Sequence, residues 1–179
     1  PVPTPIASAT PYPTPNVDLT PYLHQQGGRV MIVEESDDVG VAVNSIGQML
    51  GAEPGKIVVR GSGSIKTQMV VSHDLEFQGE YTCDTQTPWS GCVMLKDNVM
   101  VEGGTIYEPT FISGDSPAIT VFQNAAGVHG RNSNITIKGV RIIGRQTKTD
   151  GGVRQSISLG NCVDCAAIGN SLVGVASIA

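Results

Sequence analysis

The sequence predicts an all-β fold in which short strands stack as successive coils of a solenoid. The chain has 21 Val and 15 Ile against 7 Leu, together with 22 Gly, a composition typical of strands and turns. Strand-like segments recur from residue 56 onward, each followed by Gly or Asn. Of the Asn-Gly and Asp-Gly signals of two-residue hairpins, only Asp150-Gly151 occurs, which favours coils over a sandwich.

Length and charge exclude several classes of protein. A chain of 179 residues suits one compact domain with appendages. No apolar run approaches the roughly 18 residues that a membrane span needs, so we expect no membrane span. The net charge of -5 argues against a nucleic-acid partner, because binding to phosphates depends on clustered Lys and Arg.

Residues 1–28 are predicted to form an extended arm or linker. Seven of the eleven prolines lie in residues 1–21, and proline fits neither a helix interior nor a central strand. The same stretch has four threonines, of which Thr4, Thr10 and Thr14 are candidates for O-glycosylation. Two interpretations stay open, a flexible spacer from an anchor and an arm that docks on a neighbouring molecule.

Residues 29–55 are predicted to contain a short strand and a capping helix. Residues 30–33 form an apolar strand, and Asp37 or Asp38 can cap the helix that follows. Gly51 and Pro54-Gly55 end this helix. A strand through residues 39–43 is the alternative, because Val favours strands. The apolar positions that follow the helical period are Val39, Ala42, Val43, Ile46, Met49 and Leu50.

Residues 56–179 are predicted to form the coils. Four segments place two apolar residues on one strand face, and their starts are 24, 36 and 31 residues apart: 75–77, 99–101, 135–137 and 166–168. A loose period of this kind is typical of stacked coils. Asp74, Asn98 and Asn134 precede three of the segments, so we expect them to form a structural ladder of turn residues that bond to neighbouring backbone.

Two stretches resemble the right-handed parallel β-helix, or pectate-lyase-like, superfamily. The segment that ends in LGAEPGKIVVRGSGS is similar to the helix that caps such proteins, and SNITIKGVRIIG and CVDCAAIGNSLVG are similar to their coil repeats. The resemblance covers residues 35–179 and implies a right-handed parallel β-helix. The superfamily includes polysaccharide lyases, polygalacturonases, phage tailspikes, adhesins and structural stacks, so the resemblance implies no single activity.

The catalytic signatures of that superfamily have no match in the sequence. Polysaccharide cleavage needs paired carboxylates, or an Arg or Lys base together with Ca²⁺. The only Asp-Asp pair, Asp37-Asp38, lies at the predicted helix cap, and the histidine motif nearest to Gly-His-Gly is residues 127–130. We therefore name no catalytic residue, no cofactor and no metal ligand, and the sequence does not favour an enzyme.

The four cysteines are predicted to form disulfides. Cys83 and Cys92 flank a short polar loop, which suits a disulfide, and Cys162 and Cys165 form either a disulfide or two stacked core thiols. Zinc is disfavoured because zinc sites prefer two closely spaced pairs, whereas the first two cysteines are nine residues apart. Disulfides indicate an oxidising compartment, so we expect a secreted protein in the extracellular space or at the cell surface.

Three further residues are candidates for surface roles. Trp89, in the loop between Cys83 and Cys92, and Tyr81 are candidates for contact with a sugar or a partner protein. Packing of Trp89 over its own chain is the alternative. Asn134-Ile-Thr136 has the sequence of an N-glycosylation site, so Asn134 is a candidate for glycosylation as well as for the ladder.

The sequence favours a structural function. The chain ends in SLVGVASIA, an apolar strand-like run, and an uncovered strand edge is a template for further pairing. We expect a subunit that self-associates end to end into an extracellular filament or surface assembly, with the N-terminal arm contacting a neighbour. Two alternatives stay open. One is the N-terminal fragment of a lyase or hydrolase acting on acidic polysaccharide, and the other is a carbohydrate-binding or adhesin module.

Overall fold

The computed structural model describes residues 23–26, 30–85, 91–108, 121–124, 131–144 and 156–174. Within these ranges the chain forms one helix and sixteen strands. The elements in chain order are β1 (Leu23–Gln26), β2 (Val30–Val33), α1 (Val39–Leu50), β3 (Lys56–Ile65), β4 (Met69–Val71), β5 (Asp74–Cys83), β6 (Val93–Leu95), β7 (Val99–Glu102), β8 (Thr105–Tyr107), β9 (Phe122–Asn124), β10 (Asn132–Ser133), β11 (Ile135–Lys138), β12 (Arg141–Ile143), β13 (Ile157–Ser158), β14 (Cys162–Val163), β15 (Ala166–Ile168) and β16 (Ser171–Val173).

Helix α1 begins at a side-chain cap and ends at a glycine. Asp38 is the N-cap, and its Oδ1 accepts a hydrogen bond from the Gly40 N–H at 3.0 Å. Gly51 has a φ of 60°, and its N–H donates to the Gly47 carbonyl at 3.1 Å. The segment is thus a helix and not the alternative strand. Its inner face buries Val39, Gly40, Ala42, Val43 and Ile46.

Parallel pairing dominates the sheets. The largest sheet has ten strands, with the path β1-β2-β3-β5-β7-β11-β15 and with β8, β12 and β16 beside it. A four-stranded sheet has the order β13-β9-β6-β4, and β10 pairs with β14 in a third sheet. Within the described ranges, the one antiparallel pair is β1 with β2. Consecutive strands often belong to different sheets, and the parallel pairs join residues that are 18 to 36 apart in sequence.

The core is built from rows of inward side chains that continue from strand to strand. One row runs through Ile57, Leu75, Val101, Ile137 and Ala167, each paired in register with the next. The first four of these residues are 0–1 % exposed. Such rows of small branched side chains give close packing with few aromatic rings.

These features overturn the predicted fold class. The sequence predicted an all-β, right-handed parallel β-helix (solenoid) with a short N-terminal capping helix, whereas the described residues form a mixed α/β structure, with parallel sheets and one helix. Val39, Val43 and Ile46 of α1 belong to the same core cluster as the strand residues, so the helix is part of the packed interior. The composition did not predict the mixed α/β class, because Val, which is common in strands, also fills the inner face of α1.

Two predicted pairings between strands are also corrected. The sequence aligned Ile135 with Ala166, but the structure pairs Thr136 with Ala166 and Ile137 with Ala167. A slip of one residue moves every side chain of a strand to the opposite face, so Ile168 points outward and Ala167 points inward. Leu75 pairs with Val101, two residues beyond the predicted partner, which leaves the inward face unchanged.

Part of the predicted arm belongs to the largest sheet. Strand β1 lies within residues 1–28 and pairs antiparallel with β2, which places Leu23 opposite Val33. Residues 1–22 lie outside the described residues, and the glycosylation candidates Thr4, Thr10 and Thr14 are among them. Trp89 also lies outside the described residues.

Candidate functional site

Strands β14, β15 and β16 end the two-stranded and ten-stranded sheets on one side, and we call this surface the terminal edge. Each of the three strands pairs in parallel with one neighbour, β14 with β10, β15 with β11 and β16 with β12. No strand in the described part of the chain pairs with their other side. An edge of this kind presents unpaired backbone N–H and C=O groups to its surroundings.

Inward side chains at the terminal edge are less buried than those one strand earlier. Ala167 and Leu172 are only partly buried, although they pack against the core. Their partners in register, Ile137 and Ile142, are both 0 % exposed. The row of core side chains therefore reaches the surface at this edge.

Large apolar side chains also project from the terminal edge. Val163 is 38 % exposed, Ile168 54 % and Val173 44 %. Among the described residues, one other large hydrophobic side chain is exposed, that of Met49 in α1. Helix α1 packs on β2, β3 and β4, which lie at the opposite end of the sheets. The exposed large apolar side chains are thus found at the two ends of the described structure.

A ladder of left-handed turn residues leads to the terminal edge. Asn98, Asn134 and Asp164 have φ values of 58°, 56° and 56°, and the strand register places them beside one another. Asn and Asp adopt this conformation more readily than other residues with side chains. The Asn134 Nδ2 donates to the Asn98 Oδ1 at 3.2 Å, so the amide proposed for glycosylation already has a partner. Asp74 lies instead within β5, where its Oδ1 accepts from the Met100 N–H at 2.8 Å.

Asp164 is the ladder member that the sequence analysis missed. In the structure, Cys165 occupies the position next to Ile135, just before Ala166. The comparison of apolar segments began the fourth segment at Ala166, one residue after Cys165. The useful signal was the Asn or Asp directly before each strand, because this residue type marks the left-handed turn.

Side chains at the opposite end satisfy the backbone of strand β4. The Asn44 Nδ2 donates to the Gln68 carbonyl at 2.8 Å, and the Asn44 Oδ1 accepts from the Val70 N–H at 2.7 Å. Asn44 lies in α1, so its amide replaces a neighbouring strand. The Asp38 Oδ1 accepts from the Thr67 N–H at 3.2 Å and thus joins the helix cap to the same region. This end of the four-stranded sheet is covered by α1.

Two disulfides are present, which confirms the disulfide prediction, and they differ in exposure. Cys83 and Cys92 are joined with a Cα–Cα distance of 6.0 Å, and both are fully buried. Cys162 and Cys165 are joined with a Cα–Cα distance of 5.8 Å, and both are only partly buried. The second disulfide connects the start of β14 to the residue before β15. Disulfides of this number fit an oxidising environment.

Charged groups on the sides of the sheets are paired between strands. The Lys56 Nζ lies 2.8 Å from a Glu102 oxygen and 2.6 Å from a Glu76 oxygen, and these hydrogen bonds raise the pKa of Lys56. Hydrogen bonds from Gln78 and Lys56 lower the pKa of Glu76. These interactions join β3, β5 and β7.

Asp97 makes a similar connection near the asparagine ladder. Hydrogen bonds from the Asn132 amide and from the Ser133 N–H, both at 2.8 Å, lower the pKa of Asp97. The carboxylate therefore joins the turn before β7 to strand β10. The Asp97 side chain is exposed to solvent, so it fixes the position of these two segments and does not fill the core.

Tyr81 has a place in the core and not at the surface. It is 1 % exposed, its ring centroid lies 5.0 Å from that of Phe77, and its hydroxyl donates to the Val59 carbonyl at 2.9 Å. Burial raises the pKa of Tyr81. The ring that we considered for a sugar contact is therefore enclosed by its own chain.

A polar groove of about 590 Å³ lies beside β3, β5 and the loop before α1. Its lining includes the carboxylates of Glu35, Asp37 and Glu80 and the ammonium group of Lys66. The Tyr107 hydroxyl donates to the Glu80 carboxylate at 3.1 Å. In the described ranges, no three His, Cys, Asp or Glu side chains are arranged to hold a metal ion. The groove can offer hydrogen bonds to a polar ligand.

Helix α1, the helix in the described part of the chain, is not long and apolar enough to cross a membrane. Comparison with known protein families, with curated proteins and with solved structures finds no match to this chain. The family resemblance inferred from the sequence therefore stays a prediction.

Proposed function

We propose that the chain is a secreted structural subunit that self-associates end to end into an extracellular assembly. The observation that carries this proposal is the distribution of exposed apolar side chains. Val163, Ile168 and Val173 lie at the terminal edge, and Met49 lies on α1 at the other end. Exposed apolar patches commonly mark sites of protein association.

The terminal edge supplies two kinds of interaction for such a contact. Its apolar side chains would be removed from water, which contributes about 25 cal/mol for each Å² buried. Its strands have backbone groups that a further layer can pair with. The partly buried Ala167 and Leu172 would then gain the contacts that their neighbours Ile137 and Ile142 already have.

The opposite end supplies a different surface. Helix α1 has no charged residue, and Val41, Ser45 and Met49 follow one another at a spacing of four residues, which places them on one helix face. Val41 and Ser45 are partly exposed, and Met49 is 64 % exposed. This face has no charge of its own that contact with the terminal edge of another copy would bury.

Contact between unlike surfaces determines the form of the assembly. A contact between the terminal edge of one copy and the α1 face of the next is heterologous, and such contacts extend into filaments when the rotation does not close a ring. The two disulfides support a location in the extracellular space or at the cell surface.

Sedimentation velocity over a range of concentrations tests the proposal. We expect the wild-type chain to form larger species as concentration rises, and Ile168→Asp to raise the dissociation constant by at least about tenfold, because a charge replaces an apolar contact. Lys96→Asp is the control, since Lys96 is an exposed turn residue between β6 and β7, away from the terminal edge. A wild-type chain that stays monomeric at all concentrations would overturn the proposal.

Carbohydrate binding is a second candidate, and the polar groove supports it. Hydroxyl and carboxylate groups such as those of Ser62, Thr82 and Glu80 are common partners of sugar hydroxyls. Because the lining has three carboxylates and one lysine, a neutral glycan suits the groove better than an acidic one. Glycan-array binding of the wild type, compared with Glu80→Gln, tests this candidate, and equal signals from both would contradict it.

A further inference from the structure

We infer that the Cys162–Cys165 disulfide is a thiol–disulfide exchange site, and that its reduction weakens contact at the terminal edge. The second half of this inference rests on the proposed function. The first half rests on the position of the disulfide alone. The Cys162–Cys165 pair would then have a regulatory role in addition to its structural one.

The two disulfides differ in the access that they give to a reductant. Exchange requires that a thiolate approach one sulfur of the disulfide along the S–S axis, so access limits its rate. Cys83 and Cys92 are each 0 % exposed and belong to the core cluster. Cys162 and Cys165 are only partly buried, at the edge of the described structure. A dithiol in solution should therefore react first with the disulfide at the edge.

The edge disulfide holds a segment that has few other restraints. It closes a loop of four residues that contains Val163 and Asp164. Strand β14 has two residues and pairs with β10 alone, and at its ends the Asn132 N–H donates to the Asn161 carbonyl at 3.3 Å and the Asn134 N–H to the Val163 carbonyl at 2.9 Å. Reduction removes the covalent link between β14 and β15 and leaves this loop free to move.

The same loop belongs to the proposed contact surface. Val163 is one of the three exposed apolar side chains of the terminal edge, and Asp164 has the left-handed φ of 56° that continues the ladder. A surface that is held in place before contact binds more tightly, because less ordering is needed on binding. Loss of the disulfide should therefore weaken association while the core remains folded.

The chemistry is a two-electron exchange with a dithiol. One thiolate of the dithiol attacks the sulfur of Cys162 or Cys165, and the S–S bond breaks to form a mixed disulfide and a released thiolate. The second thiol of the reductant then displaces the protein sulfur. The dithiol ends as a disulfide, and the two cysteines end as thiols after taking up the two protons.

Differential alkylation tests the exchange site. The oxidised chain is treated with graded dithiothreitol, alkylated and analysed by mass spectrometry. We expect Cys162 and Cys165 to be labelled at least about tenfold faster than Cys83 and Cys92, because access limits exchange. Equal rates for the two disulfides, or faster labelling of the buried pair, would overturn the assignment.

Sedimentation velocity of the oxidised chain, the selectively reduced chain and the double variant Cys162→Ser/Cys165→Ser tests the effect on association. We expect the last two to associate more weakly by several-fold while their circular dichroism stays that of the oxidised chain, and reoxidation to restore association. Equal association of all three forms, or unfolding on reduction of this pair, would overturn the inference and leave the proposed function intact. An oxidised chain that does not associate would instead overturn the proposed function, while the alkylation rates still decide the exchange site.

Discussion

Ala167 lies directly opposite Ile137 in the parallel pair β15 and β11, yet Ile137 is fully buried and Ala167 is only partly buried. Both side chains point into the same core. The difference arises because Ile137 has a strand on each side, whereas Ala167 has a described strand only on the side of β11. In the described part of the chain, this pair shows that the rows of core side chains reach the surface at the terminal edge.

The first prediction concerns the inward register of β11. Ile137→Asp should prevent cooperative folding, or lower the free energy of unfolding by more than about 4 kcal/mol, because an unpaired carboxylate would enter a dry core. Arg141→Asp is the control, since Arg141 is exposed on β12, the next strand along the chain. Thermal melting followed by circular dichroism measures both. An unchanged melting temperature for Ile137→Asp would show that this face of β11 is not buried.

The second prediction concerns the cap that Asn44 provides for β4. Asn44→Ala should lower the free energy of unfolding by about 1–3 kcal/mol, because the Val70 N–H and the Gln68 carbonyl lose their partner. Gln48→Ala, at an exposed position of the same helix, should change stability by less than about 0.5 kcal/mol. Urea unfolding gives both values. Equal effects of the two substitutions would mean that the cap contributes nothing.

The third prediction concerns stability in acid. The pKa values of Glu76 and Asp97 are lowered in the folded state from ordinary values of 4.5 and 3.8. A lowered pKa contributes stability above the unfolded value, and this contribution is lost as pH falls through the folded value. We expect stability to decrease below about pH 4.5, and Glu76→Gln combined with Asp97→Asn to flatten that decrease.

The stability that Lys56 contributes should be lost at high pH, whereas the contribution of the two carboxylates is lost at low pH. The pKa of Lys56 is raised above 10.5, so its contribution is complete below that pH and is lost as pH rises through the folded value. Lys56→Gln should therefore differ most from the wild type near neutral pH and least in strong base. Urea unfolding at several pH values measures both limbs. If Glu76→Gln combined with Asp97→Asn loses stability in acid as steeply as the wild type, the prediction for acid is contradicted.

Local chemistry made parts of this molecule predictable from its sequence. Asp37 or Asp38 before an apolar periodic segment predicted the start of α1, and Gly51 predicted its end, because the capping bonds to the Gly40 N–H and from the Gly51 N–H are local. The short loop between Cys83 and Cys92 likewise indicated their disulfide. Each of these features is set within about a dozen residues of chain.

Features that depend on distant contacts were predicted less well. The pairing of β11 with β15 was set one residue off, because Cys165 was not recognised as a strand residue next to Ile135. Asp164 was therefore missed, and Ile168 was assigned to the core although it is 54 % exposed. The fold class was wrong because the periodicity of α1 cannot say whether its apolar face joins the core of the sheets.

The most direct test of end-to-end association is a mixing experiment with two variants. Met49→Asp disables the α1 end and Ile168→Asp disables the terminal edge, so each variant keeps one intact surface. The account predicts that each variant alone sediments as a monomer and that an equimolar mixture forms a one-to-one complex. A mixture that remains monomeric while the wild type associates would contradict contact between these two surfaces.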